Sequence, residues 1–106
     1  MIKIKDYKVV TGKKLTFYDG NIEKGWAYAI IWNRTPNKKV LSVQDVFVKE
    51  EYRGLGIGKK LIESIVTFGK MDNAIYKIIL ECSDTNVEFY EKLGFRLHEN
   101  HMRLDL

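Results

Sequence analysis

Residues 52–61 read YRGLGIGKKL: glycine at every second position from Gly54 to Gly58, an arginine ahead and two lysines behind. Glycine loses more conformational freedom on folding than any other residue. Three of them just ahead of an apolar run imply backbone that must come close to something. Free N–H groups at a helix start, with the helix dipole behind them, favour an anion. A phosphate-bearing ligand is therefore the chemistry this stretch suits. A second stretch, NVEFYEKLGF, places the phenol of Tyr90 four residues after the amide of Asn86, one helical turn along the same face. Asp45 and Glu81 add carboxylates able to hold or deprotonate a cationic group.

Two familiar phosphate loops fail. A Walker A loop needs four residues between its first glycine and Gly-Lys-Ser/Thr. Gly54 and Gly58 have three between them, and Lys60 stands where the hydroxyl should be. A dinucleotide fingerprint started at Gly54 needs glycine at 59, and one started at Gly56 needs it at 61. Those positions are Lys59 and Leu61. Arg-x-x-Gly-x-Gly, as Arg53, Gly56 and Gly58, is the pattern that fits.

The elements around these stretches are readable. Ile2 to Val10 reads as a strand. Leu15 to Tyr18 is a short strand stopped by the turn signal Asp19-Gly20. Trp26 to Trp32 alternates bulky and small residues with a period of two. A loop over residues 33–39 holds the single proline, and Val40 to Val48 is the next strand. The period then changes: Ile57, Leu61, Ile65 and Phe68, widened by Ile62 and Val66, form an apolar helical stripe ending near Gly69. Ile75 to Cys82 is an apolar run of strand length, suited to burial on both faces. Thr85 and Glu88 have capping-box spacing, Val87, Tyr90 and Leu93 share a face, and Gly94 stops that helix. The tail from Phe95 supplies one or two short strands. The order is β-β-β-β-α-β-α-β, an α/β (mixed α+β) domain: a central, largely antiparallel sheet with helices packed on it. Its parallel strand–helix–strand crossover over 40–82 is expected to be right-handed.

With 106 residues, the chain reads as a single domain over 1–106 with a short N-terminal part. Eighteen basic against fourteen acidic residues give a net charge of +4. That excess suits an anionic small molecule, and the lysines are too scattered to suggest a nucleic-acid surface. One cysteine, Cys82, allows neither an internal disulfide nor a cysteine-based zinc site. No metal is expected. The start MIKIKDYKVV lacks the apolar run of a signal peptide, and no stretch is long enough to span a membrane. The expectation is an intracellular, cytoplasmic protein with no membrane partner.

On the glycine loop, and on Asn86, Tyr90, Gly94 and Phe95 in order behind it, the sequence resembles the GNAT N-acetyltransferases. The resemblance covers about residues 40–106. It implies acetyl-CoA as cosubstrate. Its pyrophosphate would lie on the loop formed by Arg53, Gly54, Leu55, Gly56, Ile57, Gly58 and Lys59. The pantetheine arm would run beside Val46 to Val48, with a strand N–H of Phe47 or Val48 polarising the thioester carbonyl. Asn86 would bond the pantetheine arm, and Tyr90 would protonate the departing thiolate. For the base, Asp45 and Glu81 are the candidates. Glu81 closes a run expected to be buried. His98 and His101 read as surface or packing residues, and Cys82 as a small buried hydrophobe.

Within that family, VQDVFVKEEYRGLGIGKKLIESIV, YKIILECSDTNVEFYEKLGF and HENHMRL look most like the branch that acetylates glucosamine 6-phosphate. This resemblance implies a homodimer, with Asp45, Glu81 and Tyr90 at the reaction centre and Lys77 near the sugar phosphate. Gln44 departs from it, standing where that branch has its first acidic residue. The paired helices that usually wall the acceptor site are also hard to find in residues 1–40. The acceptor thus stays open between the amino-sugar phosphate and a polyamine, another small amine or a protein amine. A CoA-binding module without turnover is a third reading.

Overall fold

A computed structural model describes residues 1–6, 12–35, 37–98 and 101–106. Four antiparallel strands come first: β1 (Ile2–Asp6), β2 (Gly12–Asp19), β3 (Ile22–Thr35) and β4 (Lys38–Val48). Helix α1 (Ile57–Lys70) leads to β5 (Ile75–Leu80), which lies parallel to β4. A 3-10 turn over Asp84–Asn86 opens into α2 (Val87–Lys92), and β6 (Arg96–His98) and β7 (His101–Asp105) finish the chain. The seven strands form one sheet in the order β1-β2-β3-β4-β5-β7-β6, parallel only at β4–β5. This is the expected α/β architecture.

The expected element boundaries shift in physically sensible ways. Of the strand expected over Ile2–Val10, residues 7–10 lie outside the described residues. β3 and β4 run into the expected 33–39 loop, with Asn33 opposite Lys39 and Thr35 opposite Lys38. Cross-strand pairing overrides the polar composition there. The β2–β3 hairpin turns at the Asp19-Gly20 signal, with Gly20 and Asn21 as the two-residue loop: Asp19 faces Ile22, and Gly20 takes a φ of 60°. β5 stops at Leu80, so Glu81 and Cys82, expected within the strand, fall beyond it. The expected capping box does not form. Asn86, not Thr85, holds the N-cap position of α2, and the Thr85 hydroxyl pairs with Ser83 Oγ at 2.9 Å.

Both helices cover the same face of the sheet. α1 buries Ile57, Leu61, Ile62, Ile65 and Gly69. A Cβ on Gly69 would lie 3.1 Å from Ile78 Cδ1 and 3.6 Å from Leu41 Cδ1, which places this helix end against β4 and β5. Leu93, just past α2, lines a crevice with Ile62 and Val66 of α1. The buried partners on the sheet are small or branched: Leu15, Ala27, Ala29, Leu41, Val43, Ile78 and Leu80. The bulkier set on β3 (Trp26, Tyr28, Ile30 and Trp32) therefore lies on the other face, by the two-residue alternation of a strand. At the far end of α1, Asp72 accepts from Ala74 N–H at 2.9 Å and from Lys39 Nζ at 3.0 Å. The Ala74 bond first, then the lysine, hold its carboxyl below the ordinary value.

Gly69 sets how closely α1 approaches the sheet. Gly69→Val is expected to destabilise the fold by about 1–3 kcal/mol through overpacking against Ile78 and Leu106. Urea unfolding checks this as a lower midpoint with an unchanged slope.

Candidate active site

β4 and β5 pair from Lys39–Ile75 to Val43–Leu80 and no further. β4 continues to Val48 along β3, while β5 has ended. The register against β3 jumps in this stretch. Trp26 faces Phe47 and Tyr28 faces Gln44, so one residue of β3 opposes two of β4, Asp45 and Val46. This is a β-bulge, and Asp45 sits in it at φ 51°, among the described residues the one non-glycine with positive φ. Aspartate tolerates that region better than most residues. A bulge bends its strand and re-aims the side chains around it. Here it coincides with the point where β4 leaves β5.

The amides of the divergent stretch follow from the pairing. Lys49 N–H donates to Lys24 C=O at 2.9 Å, towards β3. Successive amides of a strand point to opposite edges, so Phe47 N–H also turns to β3. Val48 N–H faces the gap left by β5. Of the two candidates for polarising a carbonyl, the register selects Val48.

A cavity of about 480 Å³ opens at this gap, lined by Val46 to Val48, Tyr52, Arg53, Gly54, Gly56 to Lys59, Asn86, Phe89 and Tyr90. It gathers both motif stretches. Gly54 and Gly56 take φ of 80° and 81°, with open space where a Cβ would stand. Gly56 is the N-cap of α1 and supplies no capping side chain. The first helical bond runs from Lys60 N–H to Gly56 C=O at 3.1 Å. The amides of Ile57, Gly58 and Lys59 come before it and have no acceptor within the helix. These donors, at the positive end of the dipole, fit a phosphate group. Arg53 is tied down by Nε donating to Val48 C=O at 2.9 Å, with its guanidinium 5.6 Å from the Phe47 ring centre. The loop thus carries a fixed positive charge. Leu55, grouped with the loop by sequence, is 64% exposed and lies outside the cavity lining.

Tyr90 is buried, with Phe89 edge-on at 5.0 Å and Phe95 at 5.9 Å. Burial, with Cys82 adding to it, pushes its phenol above the ordinary value, so it keeps its proton through neutral and mildly alkaline pH. Burial also raises the half-buried Cys82 thiol, which speaks against a nucleophilic role. Asn86 Nδ2 donates to Ser83 Oγ at 3.3 Å at the entry to α2.

A second cavity, about 520 Å³, adjoins the same stretch of β4 and is lined by Ser42 to Asp45, Ile79 to Glu81 and His101. It brings Asp45 and Glu81 together, while Tyr90, grouped with them by the resemblance, lines the other cavity. Glu81 is exposed rather than buried, because β5 ends before it. Lys77 is not brought there. It sits on β5 opposite Asp105 and Val40, four residues and roughly 13 Å of strand from Glu81. His101, read from sequence as a surface or packing residue, lines this cavity. Among the described residues no group of three His, Cys, Asp or Glu is placed to hold a metal, and no helix is long and apolar enough to cross a membrane.

An acyl-transferase class is what this combination defines: a parted β4–β5 pair, an amide cradle at a helix N-terminus, and a buried phenol beside them. The family description "Acetyltransferase (GNAT) domain" matches residues 12–97, and the chain belongs to that family. A glucosamine 6-phosphate N-acetyltransferase of Trypanosoma brucei brucei is 48% identical over 64 residues, 60% of this chain and 43% of that protein. The crystal structure of a Trypanosoma brucei acetyltransferase superposes with a TM-score of 0.78 at 36% identity, covering 90% of this chain and 69% of that one. The glucosamine-6-phosphate N-acetyltransferase structure from Arabidopsis thaliana gives 0.73 at 25% identity over 83% of this chain and 62% of its own. The chain spans less than half the length of the curated relatives it matches.

Sequence reasoning missed the bulge at Asp45, the cavity position of His101, and Gly25. A Cβ on Gly25 would stand 2.8 Å from the Phe47 carbonyl oxygen and 3.3 Å from Val48 Cα. The glycine ahead of the Trp26 run was the available signal. Gly25→Ala must push the Phe47–Val48 backbone, because no side-chain rotation relieves the clash. The expected cost is about 1–3 kcal/mol, read as a lower Tm.

Proposed function

We propose that this protein is an acetyl-CoA-dependent N-acetyltransferase whose preferred acceptor is glucosamine 6-phosphate. The cavity in which Val48 N–H, the three unclaimed amides of α1, Asn86 and Tyr90 meet carries the reading. Acetyl-CoA bound there would supply, as an activated thioester, the acetyl group to be transferred. The chain's residues do the rest. The amides of Ile57 to Lys59 and the charge of Arg53 hold the pyrophosphate, and Asn86 bonds the pantetheine arm. Val48 N–H stabilises the developing oxyanion, and Tyr90 returns a proton to the thiolate. Asp45 and Glu81 hold the acceptor amine in the adjoining cavity. Sharing β4 between the two cavities brings donor and acceptor into one approach geometry. Acetyl-CoA as donor puts the activity inside the cell.

The acceptor assignment draws on the names of the relatives. A homodimer fits it, because among the described residues the lining of the acceptor cavity holds two carboxylates and neither lysine nor arginine. A sugar phosphate therefore calls for a cation from a second copy. The same acidic lining favours a second reading, acetylation of an unphosphorylated cationic amine such as a polyamine. Glu23 of β3, another acid, lies outside this cavity and is 3.9 Å from Lys14.

Acetyl-CoA at a hundred times its Kd is expected to stabilise the protein by about 2.7 kcal/mol, and Gly56→Val to abolish that gain. Thiol release should follow glucosamine 6-phosphate well above glucosamine or spermidine. Equal rates with both sugars would remove phosphate recognition, and faster turnover of spermidine would establish the second reading.

Tyr90→Phe is expected to lower kcat about 10²-fold while leaving the KM for acetyl-CoA within a few-fold. Because the phenol is pushed upward, any loss of rate from its ionisation belongs above pH ~10. That alkaline fall should be missing in the variant. Single-turnover rates across pH check both points.

A further inference from the structure

The acceptor cavity contains a third ionisable side chain that neither motif contributes. His101 opens β7 and lines the cavity together with Asp45 from the β4 bulge and Glu81 from the end of β5. It gets there through strand order. β7 pairs with β5, Leu80 opposite Met102, so the residue before Met102 stands beside the residue after Leu80. His98 of β6 faces His101 across the hairpin, with ring centres 5.4 Å apart and an interplanar angle of 75°. Among the described residues, the charged and titratable groups placed with His101 are Asp45 and Glu81 in the cavity lining, His98 across the hairpin, and Arg103 two residues along the same face of β7.

Resting on the acetyltransferase reading, we propose that His101 is a catalytic residue, the proton acceptor for the acceptor amine. An alkylammonium cannot attack a thioester until it loses a proton. Carboxylates attract the ammonium by charge, but imidazole is the side chain whose ordinary titration lies nearest neutrality. A base works best when its own proton affinity is matched to the working pH. Asp45 and Glu81 hold the cation, and His101 takes one proton from it. The freed nitrogen bonds to the thioester carbon, and the C–S bond breaks. The thiolate takes the Tyr90 proton, the amine's second proton, relayed through solvent, restores the phenol, and His101 releases its proton to solvent. The edge-on His98 ring limits where the His101 imidazole can turn.

The test compares wild type with His101→Gln, and with His101→Asn in case glutamine misfolds. Thiol release is followed from pH 6 to 9.5 at saturating acetyl-CoA. Circular dichroism and the acetyl-CoA thermal shift verify the fold. The variant is expected to lose at least 10-fold in kcat at pH 7 with an unchanged KM for acetyl-CoA. Above pH 9 the amine is already neutral, and the deficit should shrink to within about 3-fold. In the variant the rate should instead follow the amine's own deprotonation across the pH range. A deficit equal at pH 7 and 9.5, or a rise in acceptor KM alone, would overturn the base assignment while leaving the acetyltransferase intact. Wild-type protein that binds acetyl-CoA but releases no thiol with any amine would overturn the parent reading and this one with it.

Discussion

The parallel pair β4–β5 holds together only as far as Val43 and Leu80, and the site is built in the wedge beyond. The parting has a local cause in the bulge at Asp45 and Val46, which changes the strand's direction without breaking its ladder to β3. β3 pays no such irregularity there; Gly25 simply offers no side chain, so the Phe47 carbonyl can lie close. A strand leaving its partner exposes unpaired amides, which usually invite aggregation or must be covered. In this protein Val48 N–H faces a cavity instead. The start of α1 and the entry to α2 both line the cavity that opens there.

Charge is divided across that opening. On the helix-covered side stand the first amides of α1, Arg53 and Lys59. The adjoining cavity carries Asp45 and Glu81. Surfaces of opposite sign therefore lie only a few residues apart on β4, one suited to an anion and the other to a cation. The net charge of +4 conveys nothing of this, because it sums two local fields that act on different ligands. Burial is divided as well. Tyr90 is enclosed by aromatic rings and keeps its proton, while the carboxylates stay exposed where an amine can reach them.

Much of the fold was legible because its signals are local. The switch from two-residue to helical periodicity marks β4 and α1, and Gly94 marks the end of α2. The glycine loop was legible too, since left-handed backbone at Gly54 and Gly56 needs glycine whatever surrounds it. Errors fell where pairing overrode composition. Polar residues 33–35 joined a ladder, and the spacing of Thr85 and Glu88 did not become a capping box because a 3-10 turn takes up residues 84–86.

The sequence by itself determined the order of elements, the anion-seeking loop, and the pairing of Asn86 with Tyr90 on one helix turn. Each depends on residues within about one turn of one another, where backbone geometry leaves few options. Only the tertiary structure decided that Asp45 sits in a bulge, that Val48 rather than Phe47 offers its amide, that Lys77 stays away from the acids, and that His101 joins them. These depend on register between strands distant in sequence. A shift of one residue in that register turns every side chain to the opposite face, and no local pattern records it.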